Sequence, residues 1–127
     1  MNKRKLGSFK LDVTESNRRH EYPIIYVRIK QNYYPCLCRN IGITYLKGDI
    51  VCFLEGDDLA DKDFVWRHLT TYWIYTPLGV RGRILPTNES NYNILIARYD
   101  MGINVFPSPI DMEGNASFPR SILLKVG

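Results

Sequence analysis

Two histidines, His20 and His68, and three cysteines, Cys36, Cys38 and Cys52, are the residues of this chain best suited to metal or nucleophilic chemistry. Neither histidine has a Cys, Asp or Glu at a ligand or nucleophile spacing, which argues against a zinc centre or a Ser-His-Asp site. The C-x-C of Cys36 and Cys38 has no second cluster, and three thiols cannot all pair. They are expected as buried free thiols in a reducing compartment. The acidic group Asp57, Asp58, Asp61 and Asp63 lacks the glycine and glutamate of a calcium loop, so it reads as a helix start with a solvated face. Gly79 and Gly82 are too close together for a phosphate loop. These residues predict no catalytic group, no metal and a protein that is not an enzyme.

Charge is organised more clearly. The formal charge is +4, yet residues 1 to 30 hold eight Lys/Arg against three Asp/Glu, and residues 55 to 63 hold five acids against Lys62. The basic end is the surface expected to meet an anionic partner. Nucleic acid is the weakest reading of that charge, because no RNP-type aromatic motif accompanies the terminal lysines and arginines.

The elements that would position these groups read mostly as strands. In Pro23 to Lys30, Ile25, Val27 and Ile29 fall on one face and Tyr26, Arg28 and Lys30 on the other, the period of a half-buried strand. Gln31-Asn32 supplies a turn, and Tyr34 to Arg39 alternates Cys36 and Cys38 against Leu37, which predicts a hairpin. A third run spans Gly42 to Leu46. Lys47-Gly48-Asp49 then turns into the apolar run Ile50 to Leu54. Asp57 or Asp58 is placed to cap a short helix sharing Val65, Leu69, Tyr72 and Trp73 on one face, with Thr70 to Thr76 passing into strand. Val80 to Leu85, Tyr92 to Arg98 and Met101 to Phe106 add further strands, and the tail from Pro107 is irregular until Ser121 to Val126. The sum is an all-β chain closed into a small antiparallel barrel, with a short helix or insertion near residues 57-70. At 127 residues, with 45% apolar and 24% charged residues, one domain is expected. It comprises a basic arm over 1-16, the barrel over 17-106 and an extension over 107-127. No apolar run approaches a membrane span and Met1 to Lys10 has no secretory pattern, so the cytoplasm is expected.

Three segments in this order resemble a PilZ domain, a bacterial β-barrel module known as a receptor for cyclic di-GMP. The first is Asn17-Arg18-Arg19-His20-Glu21-Tyr22-Pro23 ahead of a strand. The second is Cys38-Arg39-Asn40-Ile41-Gly42 followed by Leu46 to Val51. The third is Val80 to Leu85 with Tyr99 to Phe106. Arg18 and Arg19 stand at the family's R-x-x-x-R motif, but Tyr22 and Pro23 occupy its closing position. Asn40 fits the D/N-x-S-x-x-G motif, while Gly42 and Tyr45 replace its serine and final glycine.

The resemblance implies a non-catalytic regulatory module in second-messenger signalling, with cyclic di-GMP as the candidate ligand. It implies that Arg18 and Arg19 offer planar forks to phosphate or guanine, His20 or Tyr22 a stacking ring, and Asn40 a polar contact. The alternative implied by the incomplete motifs is an adaptor that has lost the nucleotide and works through protein contacts, using exposed aromatic residues and the tail.

Overall fold

The computed structural model describes residues 11–16 by their backbone, and residues 23–30, 32, 34–87, 100, 102–108 and 114–126. The chain divides into two compact units, Met1–Lys47 and Gly48–Gly127.

In the first unit, β1 (Leu11–Ser16) and β2 (Ile24–Ile29) form an antiparallel ribbon in which Leu11 faces Ile29 and Ser16 faces Ile24. Ile25, Val27 and Ile29 are half-buried while Ile24, Tyr26 and Arg28 are exposed, the alternation expected for this strand. The segment that follows is the helix α1 (Pro35–Tyr45). Two sequence expectations are corrected here, since neither Tyr34 to Arg39 nor Gly42 to Leu46 is a strand. Pro35 sits in the first turn, where its missing N–H costs nothing and its fixed φ favours a helix. Leu37 and Ile41 lie four apart on one face, and Ile41 is only 1% exposed. The alternation of Cys36 and Cys38 is therefore incidental: both thiols are exposed, not buried as expected, and Cys52 is half-buried.

The second unit holds β3 (Ile50–Leu54), α2 (Phe64–Tyr75), β4 (Val80–Arg81), β5 (Asn115–Pro119) and the helix α3 (Arg120–Val126). β5 is the central strand, antiparallel to both neighbours in the order β3-β5-β4. The register sets Cys52 and Val80 opposite Ser117, and Phe53 and Arg81 opposite Ala116. Facing residues share a side of the sheet. Ser117 and Ala116 therefore point to opposite sides, and each is 0% exposed. Val51 completes the apolar core, and Phe53 meets Phe118 edge to face at 6.2 Å.

α2 begins later and ends later than expected. Its N-cap is Asp63, neither Asp57 nor Asp58, and the Asp63 N–H donates to Asp61 Oδ1 at 2.9 Å. Thr70 to Tyr75 continues the helix instead of passing into strand. The β-branched threonines are accommodated by hydroxyls that donate back to backbone carbonyls, Thr70 to Trp66 at 3.1 Å and Thr71 to Arg67 at 2.8 Å. Thr76 then ends the helix in the left-handed conformation, with φ 46°.

The all-β barrel is thus overturned. Among the described residues the chain is mixed α/β, with three helices, a two-stranded ribbon and an open three-stranded sheet whose edges are β3 and β4. Closure fails because strand pairing ends early. Val80 to Leu85 contributes only Val80–Arg81, with one further bond from the Gly82 N–H to the Asn115 carbonyl at 2.7 Å. Residues 102–108 contain no strand. The expected strand Tyr92 to Arg98 lies outside the described residues. Among the described residues, no helix is long and apolar enough to cross a membrane.

Candidate functional site

Two arrangements in the second unit carry chemically capable groups. The first is a buried polar cluster where α2 meets β5. His68 is 3% exposed, and its ring is in contact with Ser117 and Asn115, 49 and 47 residues away in sequence. Asn115 Nδ2 donates to the Arg83 carbonyl at 2.8 Å, which turns Oδ1 toward His68 Nε2 at 2.9 Å. Because Oδ1 only accepts, Nε2 carries the proton and Nδ1 accepts from the Ser117 hydroxyl at 2.7 Å. The Tyr72 hydroxyl donates to the Ser117 carbonyl at 2.7 Å. Burial holds the His68 pKa below its ordinary value, with the Asn115 bond opposing the shift. Burial likewise raises that of Tyr72.

A serine, a histidine and an asparagine in a row have the composition of a nucleophile relay. Ser117 is wholly buried, however, so a substrate carbonyl cannot reach Oγ. The cluster satisfies polar groups in the core and fastens α2 to the sheet. Gly82 belongs to it sterically, since a Cβ at that position would fall 2.3 Å from Asn115 Oδ1. Arg83 extends it outward, with its guanidinium forked onto the Asp100 carboxylate through Nε and through a second bond at 3.1 Å. Asp100 also accepts from the Gly102 N–H at 3.1 Å.

The second arrangement is the acidic turn at the C-terminal end of β3. The Asp58 N–H donates to the Glu55 carbonyl at 3.2 Å, closing Glu55-Gly56-Asp57-Asp58 into a turn. Both Glu55 and Asp58 lie over Gly114, the residue before β5. A Cβ at 114 would fall 3.1 Å from Asp58 Oδ2 and 3.3 Å from Glu55 Cγ. The bare glycine backbone thus lets two acidic side chains approach each other beyond the end of β3. Among the described residues, no group of three or more His, Cys, Asp or Glu is arranged to hold a metal ion. Two carboxylates are a partial shell for a hard divalent cation, whose remaining positions fall to water or to a substrate oxyanion.

Of the residues singled out from sequence, Arg18, Arg19, His20 and Tyr22 lie outside the described residues. Asn40 is exposed on α1 and is neither in a strand nor in a turn. His68 was singled out but given no partner, and Ser117 and Asn115 were not singled out at all, since the three are brought together by the packing of α2 on β5.

No family model matches the chain. No solved structure matches it either. Over 52 residues it is 36% identical to a Bacillus subtilis (strain 168) protein named "Uncharacterized glycosyltransferase YfnE". That stretch is 41% of this chain and 13% of the relative, so the chain matches only a small part of the relative's length.

Proposed function

We propose that this chain is a segment of a glycosyl-transferring protein and that its acidic turn, Glu55 to Asp58, faces the phosphate end of an activated sugar donor. The observation that carries the reading is the partial likeness to a protein named as a glycosyltransferase. The convergence of Glu55 and Asp58 over Gly114 at the end of β3 supports it. Glycosyl transfer from a sugar phosphate ester leaves negative charge on the departing phosphate. A divalent cation shared between carboxylates and phosphate neutralises that charge. In this reading Glu55 and Asp58 hold the cation side, Gly114 keeps the space between them open, and Asp57 is a further carboxylate within reach of solvent.

The test is calorimetric titration with a nucleoside diphosphate in the presence and absence of Mn²⁺. Saturable binding that requires the cation and weakens about tenfold or more in Asp58→Asn is expected, a loss of about 1.4 kcal/mol. Binding that is independent of Mn²⁺, or indifferent to both Asp57→Asn and Asp58→Asn, would remove the acidic turn from the donor site.

A second reading is the non-catalytic interaction module. It is favoured by the outer face of α2, where Trp66 and Trp73 are 58% and 70% exposed and meet edge to face at 5.5 Å. Exposed aromatic pairs of this kind are common anchors in interfaces. Cyclic di-GMP binding through Arg18 and Arg19 would now have to proceed without the barrel wall that the PilZ resemblance implies. Titration with cyclic di-GMP, repeated on Arg18→Ala, tests it directly.

A further inference from the structure

The buried cluster contains one hydroxyl with two acceptors and too few hydrogens to serve both. Ser117 Oγ lies 2.7 Å from His68 Nδ1 and 3.2 Å from the Tyr72 hydroxyl oxygen. The Tyr72 hydrogen is already committed to the Ser117 carbonyl at 2.7 Å. Ser117 therefore donates in one direction at a time. We propose that the Ser117 hydroxyl is a two-position, proton-responsive switch, donating to His68 Nδ1 while the imidazole is neutral and to Tyr72 Oη once the imidazole carries a second proton.

The balance of donors supports this. In the neutral state Nε2–H donates to Asn115 Oδ1, the Asn115 amide donates to the Arg83 carbonyl, and Nδ1 accepts from Ser117. A proton from solvent adds an N–H at Nδ1, which must then donate. Ser117 Oγ becomes the acceptor of that bond, and its hydrogen rotates to Tyr72 Oη, whose own hydrogen stays on the Ser117 carbonyl and which takes the Val80 backbone N–H on one lone pair and Ser117 on the other. Every bond in the new arrangement joins atoms already within hydrogen-bond distance, so α2 need not leave the sheet. The cluster accordingly absorbs a proton without leaving a donor unmatched, whereas a buried histidine whose acceptor nitrogen faced a fixed donor would set two donors against each other on protonation.

The surroundings are suited to the task. β5 presents only the neutral Ser117 and Asn115 to the ring, and α2 itself presents the Phe64 ring at 4.9 Å. From β3 the nearest titratable group is the Cys52 thiol, which acts on Tyr72. From the β4 side Arg83 offers its carbonyl through Asn115, with its guanidinium turned to Asp100, and Arg81 lies on the strand face opposite Ser117.

The decisive experiment follows His68 by NMR in the full chain, recording imidazole nitrogen shifts and the Tyr72 Cζ shift from pH 8 to 4. The neutral ring should be the Nε2–H tautomer, and Tyr72 Cζ should move with the same midpoint as His68. Removing the second acceptor in Tyr72→Phe should lower the proton affinity of His68 about threefold to tenfold, because Ser117 then has no partner in the protonated state. An unchanged midpoint in a folded Tyr72→Phe overturns the switch. So does a wild-type Tyr72 Cζ that stays still while His68 titrates, a result that needs no variant.

Discussion

His68 illustrates how one residue ties stability to pH. Burial lowers its folded pKa beneath the ordinary value of 6.5, so the unfolded chain binds a proton more readily than the folded one. Stability from this group is fully present above about pH 6.5. It declines as pH falls from there toward the lowered folded pKa, below which the penalty is constant. Urea midpoints measured from pH 7.5 to 5 should fall with pH, and His68→Gln should flatten the slope. Asn115 is the second residue on which the cluster turns, because it serves His68 and the Arg83 carbonyl together. Gly82→Ala should displace its amide and destabilise the chain by about 1–3 kcal/mol. Denaturation of Gly82→Ala measures this, and a change below about 0.5 kcal/mol would mean that the amide can shift at little cost. None of these partners is adjacent in sequence, so no spacing pattern announces the cluster.

At the level of elements, α2 shows how weak propensity is overruled. Its β-branched and aromatic half, Thr70 to Tyr75, has the composition of a strand, yet the tertiary bonds of His68 and Tyr72 to β5 hold it helical. Its C-terminus is less well served, because Thr76 carries a branched side chain at φ 46°. Thr76→Gly should raise stability by up to about 1 kcal/mol, observable as a higher melting temperature, while Thr76→Ala should not. The strands β2 and β3 were readable because the alternation of Ile25, Val27 and Ile29, and the apolar run from Ile50, match what pairing requires. α1 was not, since a window as short as Tyr34 to Arg39 satisfies two periods at once, and it is the covered pair Leu37 and Ile41, four apart, that fits the helix.

For the molecule as a whole, the deciding fact is that β5, near the end of the chain, is the centre of the sheet. Removing residues 107–127, which read as an extension, should leave β3 and β4 without a partner and His68 without Ser117 and Asn115. Circular dichroism of such a truncated chain should show loss of α2 together with the sheet, and retention of a cooperative transition for the second unit would contradict this topology. By itself the sequence determined the charge asymmetry, the lack of a long apolar span, the faces of β2 and the place of β3, because these follow from composition and from contacts between near neighbours. Only the tertiary structure decided that the sheet is open, that β5 enters it between β3 and β4, and that Glu55 and Asp58 share the space over Gly114. Those outcomes depend on contacts between residues tens of positions apart, and local periodicity carries no record of which distant strand will supply the partner.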